Sequence, residues 1–357
     1  MKNFFLKLLI LFTYGYAGQT SIGIFTFGAS NGSKSWDSTA IQSGITGSEE
    51  AIIYLSKELA ELGYRVTVFG NPPTGSADSL ETSNPRYVDA SGDNGQFFDI
   101  AIAWRAPVSY PLQKRGRKVY LWPHDVYFSI LPSEQADGFE EVLWLSEWQR
   151  MQWISANPKY QKYTCIFGNG IFPEQFPPVR PRDNPYSCIY ASNYGRGLEI
   201  LLEIWPRVKV RFPQATLDIY YGWQHWGTLT SEKEAKMRAR LNEIAHLDVH
   251  DHGLVGHQEL MEAFGKASFW TYPCIAAEVF CITALRAQLA GAIPVIIEHS
   301  ALQETVRSGY RCASPNEYFS TLIKALRQAE QVTLEQRLET GRFVLDQFTW
   351  KNIAKQW

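Results

Sequence analysis

The chain has 357 residues, 45% hydrophobic and 20% charged, a globular composition long enough for two domains with a core each. Its formal net charge of -2 lacks the basic bias of a nucleic-acid binder, so no nucleic-acid partner is expected. The five cysteines (Cys165, Cys188, Cys274, Cys281 and Cys312) are odd in number and widely spaced, with no C-x-x-C pair. That pattern speaks against a disulfide framework or a zinc site and for buried thiols under reducing conditions.

At the N-terminus, "MKNFFLKLLILFTYGYAG" combines Lys2 and Lys7 with an apolar run and small residues around Ala17. Residues 1–17 have two readings: a cleavable signal peptide, or an extension that packs on the domain or touches a membrane surface. The run is short for a membrane span. Asn31-Gly32-Ser33 has the glycosylation pattern, a triplet that arises often by chance.

"SIGIFTF" (21–27) is the first expected strand, followed by a polar loop. "TGSEEAIIYLSKELAELG" predicts a helix with Ile52, Leu55, Leu59 and Leu62 on one face; Thr46 and Glu49 have capping-box spacing at its start, and Gly63 suits its end. "YRVTVFG", "FDIAIAW", "KVYLWPHD" and "EEVLWLS" are the next strands. The rhythm stops in the proline-rich stretch 172–187, which reads as a linker. It restarts with "CIYAS", a helix over "GLEILLEIWPRVKVRFP", then "ATLDIYYG", a charged helix over 230–246, "SFWTYP", "IPVIIE" and closing helices. Strands alternating with helices predict two doubly wound parallel sheets with a cleft between them, and ligands in such folds sit at the carboxyl ends of strands.

Residues 268–291 carry the main chemical signal. Glu278 opens an expected helix over 279–290 and Gly291 closes it. Free amides at a helix start suit an anion, whereas a carboxylate there would repel phosphate and suits neutral hydroxyls. Together they describe a sugar nucleotide. The alternative is an ordinary glutamate stabilising its own helix, worth a few tenths to about 1 kcal/mol. In "HLDVHDHG", His250 and His252 share one face if the segment is a strand, but no third metal ligand is evident and a polar strand end is the preferred reading. No G-x-S-x-G, Walker loop or dinucleotide glycine fingerprint is present, against hydrolase, NTPase and dehydrogenase readings.

"YPCIAAEVFCITALRAQLAGAIPVI" resembles the donor-binding segment of glycosyltransferase family 4, retaining enzymes of the GT-B fold. Further matches follow in the family's order: "SGITGSEEAIIYLSKELAELGYRVTVFG", "LWPHD", "VLWLSEWQR", "FGNGI", "YASNYGRGLEILLEIWP", "LDIYYG" and "SALQETVRSG". The resemblance implies an α/β chain of two Rossmann-like doubly wound domains facing a cleft. An acceptor-side domain spans 20–175, a nucleotide-sugar-binding domain spans 176–335, and a closing helix over 336–357 packs back on the first domain.

The implied activity is transfer of a hexose-type sugar, with retention, from a UDP- or GDP-linked donor to a glycan, lipid or protein acceptor, with no metal and no resident cofactor. Glu278 matches the residue that binds donor-sugar hydroxyls. Phe280, Cys281, Ile282 and Thr283 would offer backbone amides, and Thr283 its hydroxyl, to the sugar and diphosphate. Arg196 stands where a cation neutralises the diphosphate, the charge that develops on the leaving group. His124, with Asp125 beside it, matches the histidine near the reacting carbon. Gly44, Gly47 and Ser48 would let acceptor and phosphates approach the first helix.

One departure stands out: Arg286 replaces the family's second glutamate, which binds ribose hydroxyls, and a guanidinium cannot accept hydrogen bonds. Arg286 is expected low in the cleft, on a phosphate or paired with a carboxylate such as Glu304, and Arg286→Glu is expected to strengthen nucleotide-sugar binding or to reveal transferase or donor-hydrolysis activity; the alternative is an arginine that points away to a surface carboxylate, where the swap would do little. It keeps a second reading open, a degenerate relative that binds a nucleotide sugar or glycan without turnover. A third is a secreted sugar-binding protein of two lobes. Because nucleotide sugars are cytosolic or delivered to dedicated lumens, the expected location is cytoplasmic, membrane-associated through residues 1–17, with the secretory signal as the alternative.

Overall fold

The computed structural model describes residues 19–26, 35–105, 114–126, 135–223 and 229–356. Residues 1–17 and the Asn31-Gly32-Ser33 triplet lie outside the described residues. The first lobe is built on β1 (Ser21–Phe25), β2 (Arg65–Gly70), β3 (Arg86–Asp89), β4 (Phe98–Trp104), β5 (Gly116–Trp122) and β6 (Glu141–Val142), all parallel, in the order β3-β2-β1-β4-β5-β6. The second uses β7 (Ser187–Ala191), β8 (Thr216–Tyr220), β9 (Val249–Gly253), β10 (Phe269–Tyr272), β11 (Ile293–Ile297) and β12 (Tyr310–Cys312), parallel, in the order β12-β11-β10-β7-β8-β9. Read from the other edge, the second order repeats the first. Both are the doubly wound dinucleotide-type order, which places a switch point beside the first strand of each sheet. Central strands such as β7 and β10 are buried along their length, so they read as unbroken apolar runs.

The helices in chain order are α1 (Ala40–Ser43), α2 (Gly47–Glu61), α3 (Glu147–Ala156), α4 (Leu198–Arg211), α5 (Ser231–Ile244), α6 (His257–Lys266), α7 (Ile282–Leu289), α8 (Leu302–Thr305), α9 (Pro315–Arg327), α10 (Leu334–Gln347) and α11 (Trp350–Ala354). In α2, Ile52, Leu55 and Leu59 face the core as their spacing predicts, but Leu62 lies past the helix end and is 46% exposed. The Thr46–Glu49 capping box does not form: the Thr46 hydroxyl makes no capping bond, and Glu49 is buried elsewhere.

Several elements differ from the sequence expectation. The polar loop before α2 contains α1 and a core tryptophan, Trp36. "EEVLWLS" makes only the two-residue β6 and a bridge from Trp144 to Ile166. β3 and β12, short strands at the edges of the two sheets, lie outside the sequence expectation. The helix expected from 279 begins at Ile282, so Glu278 lies in the loop after β10. Cys281 precedes the helix at φ 84, a left-handed turn that an L residue adopts at a steric cost.

The expected single closing helix is two. Phe348 caps α10, and the Thr349 hydroxyl accepts from the Asn352 amide to start α11. α10 packs on α7 of the second lobe, whereas α11 packs on α2 of the first, with Trp350 fully buried. Linker residues are pinned rather than loose: Arg182 donates to the carbonyls of Ala267 and Ala290.

Among the described residues three apolar clusters hold the fold. One fills the second lobe, another fills the face of the first sheet under Phe25 and Trp153, and a third joins both lobes. That third cluster combines Ile52, Leu55 and Trp350 with Phe280, Ile282, Leu285 and Leu289 of the second lobe. The donor-type loop and helix are thereby docked on the first lobe through side chains.

Candidate functional site

The cleft between the lobes has a volume of about 340 Å³. Its walls bring together Gly47 and Ser48 from α2, Arg105 after β4, His124 and Asp125 after β5, Arg196 before α4, and Glu278 through Thr283 with Arg286 from the β10–α7 segment. These lie at the carboxyl ends of parallel strands, where loop amides and side chains converge on open space.

On the second lobe, Arg196 Nη1 donates to Glu278 Oε1 at 2.5 Å, and the Tyr272 hydroxyl donates to the same oxygen. The Glu278 amide donates to Ser300 Oγ at 3.0 Å, fixing the loop. Glu278 is 9% exposed, which leaves it reachable from the cleft. The first amides of α7, which have no intrahelical acceptor, start next to it. Phe280 contributes more than an amide: its ring packs edge-on to Phe348 at 5.5 Å and fills the space over Gly168, where a Cβ would approach to 2.8 Å.

On the first lobe, the His124 ring lies between Trp104 (5.7 Å) and Trp122 (4.5 Å). Burial, with Arg105 nearby, holds it well below the ordinary histidine range, so it is neutral at pH 7. Arg105 takes a left-handed φ of 64, its Nε lies 3.1 Å from Asp125 Oδ2, and its Nη2 donates to Ser48 Oγ at 3.2 Å. Burial pushes the carboxyls of Glu49 and Asp125 upward, and in both Arg105 opposes the shift.

Three expected site residues are placed differently. Gly44 does not line the cleft: its φ of 94 and an approach of 2.4 Å from a Cβ to the Val255 carbonyl make it a lobe–lobe contact that only glycine fits. Glu304 does not meet Arg286. Its two oxygens accept from the amides of Glu147 (2.9 Å) and Trp148 (2.8 Å), capping α3 across the lobe boundary. Arg286 lines the cleft but pairs with Glu50 of α2, Nη2 to Oε1 at 2.5 Å, with side chains 7% and 2% exposed. His257 stands 3.7 Å from the other Glu50 oxygen, and its Nδ1 is 3.2 Å from the Tyr54 hydroxyl. Arg286→Glu would therefore set two carboxylates together in a buried site.

Sequence reading missed Glu49, Glu50, Arg105 and His257. Glu49 reads in the sequence as the capping-box partner of Thr46, Glu50 is its plain neighbour in the first turn, and nothing near Arg105 or His257 forms a motif. His250 and His252 are not joined by a third ligand: His252 pairs with Asp218 at 2.8 Å and stacks on Tyr220 at 4.4 Å. Among the described residues no group of three or more His, Cys, Asp or Glu is placed to hold a metal. Among them, too, no helix is long and apolar enough to cross a membrane.

Two six-stranded Rossmann-like sheets enclosing this cleft define an α/β protein of the GT-B fold. No protein-family model and no curated protein matches the sequence. Solved structures do. A glycosyltransferase from Rickettsia africae superposes with a TM-score of 0.70 at 14% identity, covering 95% of this chain and 97% of that one. Anabaena HepE in complex with UDP-glucose gives 0.69 at 12% identity, covering 95% and 98%. Sucrose-phosphate synthase from Thermosynechococcus elongatus gives 0.68 at 14% identity, covering 95% and 97%.

Proposed function

We propose that the protein is a glycosyltransferase that moves a hexose-type sugar, with retention, from a nucleotide-diphosphate donor to a glycan, lipid or protein acceptor. The observation that carries this reading is the convergence of Arg196, Glu278 and the start of α7 in one cleft opposite His124. The neighbours' UDP-glucose and glycosyltransferase descriptions support it by fold.

In this reading the α7 amides and Arg196 hold the diphosphate and stabilise the charge that develops as it leaves. Arg196 is oriented by Glu278 before a donor arrives, so part of the ordering cost is already met. Glu278 accepts from donor-sugar hydroxyls, and neutral His124 offers one ring nitrogen as donor and the other as acceptor. Asp125 lies beside the reacting face and faces Arg105. The chemistry needs no metal, since cations and helix amides serve the leaving group. In this reading the catalytic domain works in the cytoplasm, with residues 1–17 as a membrane contact or, in the alternative, a secretory signal.

Arg196→Ala is expected to weaken UDP or GDP binding by about 1.5–3 kcal/mol, the range for hydrogen bonds to charged groups. Calorimetric titration checks it, and unchanged affinity for both nucleotides would remove the assignment. A second reading, a binder without turnover, is favoured by the Arg286–Glu50 pair, which commits Arg286 to the first lobe. Release of free sugar or UDP from UDP-sugars by the native chain would exclude it.

A further inference from the structure

We propose that Tyr221 is a donor-binding residue whose phenol hydroxyl donates a hydrogen bond to the diphosphate held by Arg196. The proposal rests on the transfer reading of the same cleft and adds a residue to it. Tyr221 directly follows β8 and lines the cleft. Its φ is 115, a left-handed backbone state that is exceptional for a bulky L residue. Four other non-glycine residues among those described have positive φ, and two of them, Arg105 and Cys281, also line the cleft. Such strain persists only where the surrounding structure imposes it, and it gathers at ligand sites.

Glycine would take the same corner without strain, as the neighbouring Gly222 does at φ 81. What the strained corner gains is therefore a side chain. The corner is fixed from both sides: the Tyr221 amide donates to the Gly253 carbonyl at 2.8 Å, and a Cβ on Gly222 would stand 3.1 Å from the Leu254 amide nitrogen. The ring packs against the apolar core of the second lobe. About 340 Å³ of cleft remains open beside it, so the ring is a wall and not a plug.

The hydroxyl end is polar. It is hydrogen-bonded to the Asn193 side chain, and the charges that act on it are Arg196 and Glu278 of the second lobe and Glu49 of the first. A phenol both donates and accepts, so one partner leaves capacity for a ligand. Burial pushes its pKa up to about 12, with Arg196 opposing, and the hydroxyl keeps its proton at neutral pH. Glu278 is already neutralised by Arg196 and the Tyr272 hydroxyl. A protonated phenol beside a guanidinium suits an anion that only accepts, and phosphate oxygens are such acceptors.

The test uses the full chain, native and with Tyr221→Phe, which keeps the ring and removes the hydroxyl. Calorimetry follows UDP and GDP, and saturation-transfer NMR follows uridine and guanosine, which lack phosphate. Tyr221→Phe is expected to keep the native melting temperature and nucleoside binding and to lose roughly ten-fold or more in affinity for the diphosphate that the native chain binds. Tyr221→Gly, which takes the corner without strain, is the second variant and should lose at least as much.

Unchanged diphosphate affinity in Tyr221→Phe overturns the proposal. So does an equal loss of nucleoside binding, which would mark a merely structural ring, or tighter binding by Tyr221→Gly, which would mark a plug. A native chain that binds neither UDP nor GDP would overturn the transfer reading itself, and this proposal with it.

Discussion

His257 reports how burial sets charge at the residue scale. It stands beside Glu50, Arg286 and Tyr54, and burial lowers its pKa to about 4, the attraction of Glu50 being the weaker effect. In the unfolded chain the same imidazole titrates near 6.5. Between those values the unfolded state binds the extra proton, so stability falls as pH drops from 6.5 towards 4, by roughly 3 kcal/mol for a shift of this size. His124 acts in the same direction, and Glu49 and Asp125, raised by burial, act oppositely. The comparison is therefore between native and His257→Asn: urea unfolding at pH 7 and pH 4.5 should show a shallower loss in the variant. Equal losses would show that His257 is already solvated or charged.

At the scale of elements, the break between α10 and α11 decides where the C-terminus goes. The helix restarts at Thr349, and the Trp350 indole lies in the joint cluster. Gly170 allows that approach, since a Cβ there would lie 2.6 Å from the Trp350 amide nitrogen and ring. Gly170→Ala is expected to cost about 1–3 kcal/mol, the scale of overpacking, and to loosen residues 349–356. Limited proteolysis with mass spectrometry reads this as early cleavage in the C-terminal segment, and an unchanged pattern would show that the backbone yields elsewhere. The helix after Glu278 was legible as an element but misplaced at its start. Its left-handed Cys281 is a backbone state that residue spacing does not encode.

At the scale of the whole molecule, the lobes meet through buried contacts. Ser146 Oγ donates to the Val279 carbonyl at 2.7 Å, Glu304 caps α3, and Glu50 pairs with Arg286. A buried pair contributes little net stability against an apolar isostere, but losing one member strands a charge at a cost of about 3–5 kcal/mol. Glu50→Leu and Arg286→Leu should each lose that much in urea unfolding, whereas the double variant should lose clearly less than either. Additive losses would mean that the two residues are coupled to other partners instead of each other.

The sequence by itself determined the alternation of strands and helices, the two sheets and the place of the loop and helix that follow β10. Those depend on short-range periodicity and on contacts such as the loop around Glu278. Arg196 too was legible, because its place before α4 follows from a local turn. Only the tertiary structure decided the partner of Arg286, the capping role of Glu304, the lobe contact at Gly44 and the burial of Glu49 and His124. Each joins residues far apart in the chain, and its energy depends on how two separately folded sheets dock and exclude water. No local pattern carries that term, so the same arginine reads as a cleft cation in sequence and as half of a buried interlobe pair in the folded protein.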